Sequence, residues 1–204
     1  MTDTSATPTP VAADEELPLL DEPLPVELAN TLYRGGGVEI DFLADGEAAS
    51  RWVQAVAPRL GPVDVAVDDD VAAALRSLRD AVREVLLACL ERRAPAAPAV
   101  RTLNAHARRA PSAPRLDWPA GGQPTAARDH LGAAPLDVLD AVVAGEAIAL
   151  VSGPQRAALR RCEAPACGML FVKDHPRRTW CNPGCGHRAR QARYYRRKRG
   201  RLHA

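Results

Sequence analysis

Four of the five cysteines fall within 24 residues near the end of the chain: Cys162, Cys167, Cys181 and Cys185, in the pattern C-x4-C-x13-C-x3-C. Two close thiol pairs separated by a short loop suit tetrahedral coordination of a divalent metal, each pair supplying half the ligand shell. A reducing cytosol disfavours the competing disulfide framework. The expected chemistry is therefore one structural zinc ion on four thiolates. A catalytic zinc keeps an open position, and four cysteines fill the shell. His175 and His187 lie nearby. With no acidic ligand cluster beside them they read as surface residues; the competing reading has one of them replace a cysteine or serve a nuclease-type site.

Several local features must position these thiols. Four thiolates on a divalent cation leave a formal charge of −2, and Arg160, Arg161, Lys173, Arg177, Arg178 and Arg188 are close enough in sequence to offset it. Gly168 follows the first pair and suits a tight knuckle. Asn182 and Pro183 read as the N-cap and first residue of a helix, so Cys185 would ligate from its first turn. Sizeable apolar residues here are few, namely Met169, Leu170, Phe171, Val172 and Trp180. Metal binding is thus expected to supply the folding energy of the segment.

That last helix is strongly basic. Arg188, Arg190, Arg193, Arg196, Arg197, Lys198, Arg199 and Arg201 follow Cys185 with no acidic residue between them, and Tyr194 and Tyr195 lie among them. At 100° per residue the charges spread around the whole helix, so no stripe is wide enough for full docking on a body. The helix should project into solvent beyond its first two turns. A projecting arginine helix is relieved by a polyanion. Nucleic-acid phosphates would serve through Arg188, Arg190, Arg193, Arg196, Arg197, Lys198 and Arg199, with Tyr194 on phosphate or base. A solvated basic tail is the competing reading.

Upstream of the cysteines the periodicity is helical. Val71, Leu75, Leu78, Val82, Val85, Leu86 and Cys89 mark one stripe of a helix over about 70–92, with Arg76, Arg79, Asp80, Arg83 and Glu84 between them. Cys89 fits the stripe as a small core residue. A short helix is expected around Trp52, Val53 and Val56 with Asp45 as N-cap, another over 100–110, and a third over about 135–151. Gly153 would cap that third helix, and Gly145 could break it. Gly35, Gly36 and Gly37 read as a loop, and "RLDW" at 115–118 as one strand of a small hairpin. Residues 1–16, rich in Pro, Thr, Ala and acid, read as a disordered tail.

The fold class expected is mainly α: an α-rich body over 17–155 with a small β-hairpin. A small treble-clef-like four-cysteine zinc module over 156–204 leads into the basic C-terminal helix. The 204 residues allow one ordinary domain and such an appendage, and exclude a large multidomain enzyme. Charge divides the same way. Residues 1–155 hold 13 Arg+Lys against 23 Asp+Glu, whereas residues 156–204 hold 14 against 2. No apolar run is long enough for a membrane span and no signal pattern opens the chain, so the expected location is the cytoplasm.

The segment "RRCEAPACGMLFVKDHPRRTWCNPGCGHRARQARYYRRKRG" resembles the CGNR zinc finger of bacterial proteins, through Cys162, Cys167, Phe171, Trp180, Cys181, Cys185, Gly186 and Arg188. His187 replaces the signature Asn, and the loop between the cysteine pairs is short. Upstream, "LANT" at 28–31, "LRDAVREVLLACL" and "LNAHAR" at 103–108 resemble the companion ABATE domain. The resemblance implies a bacterial DNA-binding transcription regulator, with an N-terminal domain that senses a small-molecule effector or mediates association. A single basic helix binds weakly by itself, so a homodimer that places two helices on one duplex is expected. Asn30, Thr31, Tyr33, Arg34, Asn104 and His106 are the polar candidates for an effector pocket, with helix caps and solvated faces as the plainer reading. No Gly-rich phosphate loop, nucleophile motif or paired carboxylates mark an enzyme. The alternative function is a zinc-organised module that binds RNA or protein.

Overall fold

The computed structural model describes residues 9–10, 16–60 and 66–202. Apart from Thr9, Pro10 and Glu16, the tail expected over 1–16 lies outside the described residues. Thr9–Pro10 form a two-residue strand β1 that pairs in parallel with β3 (Val38–Asp41). The outer edge of β3 offers the backbone partners for this pairing.

Five helices build the body: α1 (Leu24–Asn30), α2 (Gly46–Val56), α3 (Asp69–Leu90), α4 (Ala97–Ala107) and α5 (Pro135–Ser152). The caps follow the sequence. Asp45 accepts from the Ala48 amide at 2.8 Å and Asp68 from the Val71 amide at 2.9 Å, each satisfying a donor that the first helical turn leaves free. α4 has Pro98 in its first turn and α5 starts on Pro135, where a proline needs no amide partner. Gly145 does not break α5. Gly153 ends it in extended rather than left-handed backbone, and a Cβ there would lie 2.6 Å from the Ala149 carbonyl oxygen.

Leu24, Leu28, Trp52, Leu75, Leu78, Leu86, Leu139 and Val143 are all fully buried in one core that the five helices share. Cys89 packs against this core, as the stripe predicts. The expected loop at Gly35–Gly37 is instead the tip of a hairpin, β2 (Leu32–Gly35) against β3, with Gly36 and Gly37 at φ +63° and +82°. Two positive-φ residues make the tight turn whose twist matches that of paired strands. The hairpin around "RLDW" also forms, as β4 (Ala113–Asp117) against β5 (Thr125–Asp129).

The polar positions of α3 do not all face water. Arg79 and Arg83 are buried. Arg79 pairs with Asp41, and Arg83 donates to the Ala29 and Leu32 carbonyls at 3.0 and 3.2 Å. Arg76 holds the Leu43 and Ala44 carbonyls at 2.6 and 2.9 Å. The hairpin and the end of α1 bring unpaired carbonyls against this face, and only long donors can satisfy them there. Burial, with Arg34, Arg161 and Arg79 adding repulsion, lowers the Arg83 guanidinium to about 10.

The cysteine segment is joined to this body rather than hung from it. Strands β6 (Leu159–Arg161) and β7 (Leu170–Val172) pair antiparallel, and Leu159, Leu170 and Val172 enter the main core. Phe171, between the last two, turns to the cysteine side. Body side chains satisfy β7 backbone groups. Asn30 donates to the Leu170 carbonyl at 2.9 Å and accepts from its amide at 2.8 Å, and Glu22 accepts from the Val172 amide at 2.7 Å. Glu27 in turn accepts from the Leu20 and Glu22 amides, which fixes the chain before α1. Burial pushes both carboxyls above the usual range, against the pull of those amides. Asn30→Ala should orphan both Leu170 groups and cost about 2–4 kcal/mol in urea denaturation, in a single transition that includes the cysteine segment.

Candidate metal centre and basic helix

Each cysteine comes from a defined place. Cys162 directly follows β6 and its amide donates to the Met169 carbonyl at 2.8 Å, closing the knuckle that returns the chain to β7. Cys167 lies in that knuckle, its amide on the Ala164 carbonyl at 3.0 Å. The left-handed residue of the turn is Ala166 at φ 54°, not Gly168. Gly168 serves a close approach instead, since a Cβ there would lie 2.6 Å from the Arg34 carbonyl oxygen of the β2–β3 hairpin. Cys181 ends the following loop, and Cys185 stands in the first turn of α6 (Pro183–Leu202). Asn182 caps that helix by accepting from the Cys185 amide at 2.9 Å, as the sequence leads one to expect.

The four sulfurs converge, all within 4.8 Å of one another. Cys181 Sγ lies 3.7 Å from Cys167 Sγ and 3.4 Å from Cys185 Sγ, and no pair is a disulfide. A tetrahedron with zinc–sulfur bonds of about 2.3 Å has edges of about 3.8 Å, so the spacing fits one such ion. Cys162, Cys181 and Cys185 are buried and Cys167 is half-buried. Among themselves the thiols share protons. A bond from Cys181 brings the Cys167 thiol down to about 5, the same bond and burial push Cys181 far up, and burial holds Cys185 at about 11. A divalent cation displaces these protons and turns four repelling sulfurs into a ligand set. The cysteines are positioned to bind one metal ion, and a closed all-thiolate shell is that of structural zinc.

Of the basic residues expected to offset the thiolate charge, Arg188 reaches a sulfur, its guanidinium 3.0 Å from Cys185 Sγ. Arg178 holds the frame: it pairs with Glu22, donates to the Cys181 carbonyl at 2.9 Å and lies over the Phe171 ring at 5.0 Å. Arg160 goes to the Ala157 and Leu159 carbonyls. His175 and His187 are exposed and outside the cluster.

The polar candidates for an effector pocket are spent elsewhere. Asn30 and Tyr33 join body to knuckle, Tyr33 by donating to the Ala166 carbonyl. Burial and the Cys167 sulfur push its phenol up. Thr31 closes on the Leu28 carbonyl at 2.7 Å and Arg34 pairs with Glu39. His106 lies 2.9 Å from Asp140, tying α4 to α5. Asn104 is half-buried on α4. The "LANT" stretch was the signal for Asn30, but nothing local pointed to a partner 140 residues away.

α6 leaves the cluster along Trp180, with Gly186 against the indole and Ala189 buried. A shallow groove follows, lined by Glu163, Pro165, Ala192, Arg193 and Arg196. Arg193 also donates to the Ala189 carbonyl at 3.3 Å. Arg190, Tyr194 and Arg197, at i, i+4 and i+7, form an exposed stripe, and Lys198 and Arg199 extend the positive surface. Tyr194 and Tyr195 are 62% and 59% exposed and stand edge to face at 5.6 Å.

Residues 22–154, well over half of the chain, match the ABATE family model, described as "Putative stress-induced transcription regulator". Residues 158–198 match the CGNR zinc finger. No curated protein matches the chain. Changing Cys185 to Ser should abolish stoichiometric zinc, read by metal analysis of the purified protein. Arg188→Gln should keep the ion but weaken its retention against a competing chelator by roughly 10–100-fold.

Proposed function

The chain belongs to the ABATE family and ends in a CGNR zinc finger, and on that footing we propose that it is a cytoplasmic, zinc-dependent DNA-binding regulator of bacterial transcription. One observation carries the reading: a metal centre holds the first turn of a helix whose later turns are exposed and carry arginine after arginine. A cation array on a rigid mount gains most from a polyanion, because bound phosphates release counterions and relieve the helix's self-repulsion. Arg190, Arg193, Arg196, Arg197 and Lys198 contact phosphates in this proposal. Arg188, already bonded to Cys185, contributes mainly by stiffening the mount. Such contacts position the protein without reading sequence.

One helix with so few contacts binds weakly. The proposal therefore includes a homodimer, which raises effective concentration by placing two helices on one duplex. It also includes a small-molecule effector that acts through the body. No helix among the described residues is long and apolar enough to cross a membrane.

The exposed Tyr194–Tyr195 pair favours a second reading, an RNA-binding module in which unstacked bases meet the rings. Fluorescence anisotropy on random duplex and structured RNA across about 50–200 mM salt separates the two. For the regulator, duplex outcompetes RNA, with a log–log salt slope of about −4.5 for each helix engaged. Reversing Arg193 and Arg197 to Glu should weaken every duplex alike by at least about tenfold and flatten the slope by about 2. Binding that ignores salt would overturn the reading, and preference for RNA would replace it with the second.

A further inference from the structure

Away from the metal centre, the end of α3, the approach to α4 and the chain leading into β6 enclose a cleft of about 820 Å³. Part of its wall is apolar, chiefly the half-buried Leu90 and Val151, since Val85 and Leu159 are almost fully buried. Arginines stand around it, and no acidic side chain lines it. Arg93 is neutralised by Glu84 and Glu91 just outside, and its bond brings the Glu84 carboxyl down to about 2. Arg92, Arg156 and Arg160 are not neutralised in this way. Arg160 spends one amino group on the Ala157 and Leu159 carbonyls, both at 2.7 Å, and so is fixed in place with its other donors uncommitted. Arg92 and Arg156 have no ion-pair partner among the described residues.

The backbone under Arg92 adds to the case. α3 closes with the Arg93 amide on the Ala88 carbonyl at 3.0 Å and the Arg92 amide on the Cys89 carbonyl at 3.3 Å. This closure puts Arg92 at φ 55°, a position that glycine fills without strain. The chain has an arginine there, and its side chain lines the cleft.

We propose that this cleft binds an amphipathic organic monoanion, a carboxylate on an apolar chain or ring. The apolar wall takes the hydrocarbon, and Arg92, Arg156 and Arg160 take the head group. A free inorganic anion would leave the apolar part of the wall unused, and a neutral hydrocarbon would gain nothing from the three exposed guanidiniums. The proposal rests on the effector part of the regulator reading and names the ligand class. Its place gives it a route to the finger, because Leu159 and Arg160 begin the strand that carries the chain to Cys162.

The test is isothermal titration of the zinc-loaded full chain with octanoate, and separately with neutral octanamide, in the absence of nucleic acid. Octanoate should bind one site per chain and octanamide at least about tenfold more weakly. Arg92→Gly, which suits the backbone, and Arg156→Gln should each weaken octanoate about tenfold with zinc content unchanged. Arg128→Gln on β5 should bind as the parent does. No octanoate binding, equal binding of octanamide, or parental affinity in both cleft variants would overturn the proposal. The DNA-binding reading stands or falls on the salt series, so the two failures are told apart.

Discussion

Four sulfurs within 4.8 Å, three of them buried, are the constraint around which the C-terminal quarter is arranged. Thiolates at that distance repel one another, and buried charge is tolerated only when it is paired or coordinates a metal. A bound cation converts the repulsion into the bonds that close the β6–β7 knuckle onto the start of α6. The Asn182 cap, the Arg188 guanidinium on Cys185 and the Tyr33 hydroxyl on the Ala166 carbonyl all act on that geometry. Without the ion, the part of the segment outside the β6–β7 seam, whose own apolar cluster is built mainly from Met169, Phe171 and the cysteines, has little else to hold it.

The second constraint is the free edge of β7. An unpaired strand edge buried against protein must find donors and acceptors. Here the partners are side chains from α1 and its approach, with Asn30 serving Leu170 and Glu22 serving Val172. Leu159, Leu170 and Val172 complete the body core at the same seam. Body and finger are therefore one cooperative unit across this contact. α1 and its approach are tied to β7 by direct hydrogen bonds rather than through a linker.

Charge is organised along the same line. The acidic surplus lies in the body and the basic surplus in the finger, but the internal arginines of α3 serve packing. Arg76, Arg79 and Arg83 hold carbonyls and Asp41 inside the body. Arg193, Arg196, Arg197 and Arg199 face solvent. Identical side chains thus have opposite duties, set by whether unpaired carbonyls or water surround them.

Much of this was legible in the residues alone, because the signals are local. Thiol spacing gave the ligand set, period 3.6 gave α3 and α5, and an Asn-Pro pair gave the start of α6. The absence of any apolar stripe foretold that α6 leaves the body. Asp45 and the strand at "RLDW" belong with these, since a cap or turn depends on neighbours a few residues away. Pairings between distant segments were not legible. Nothing near Asn30 states that its amide meets Leu170, and nothing in the α3 pattern separates Arg79 and Arg83 from truly exposed positions. The same holds for Gly168, whose missing side chain answers to the Arg34 carbonyl. Local sequence sets propensity and ligand type, whereas the partners of buried polar groups follow from which elements pack together.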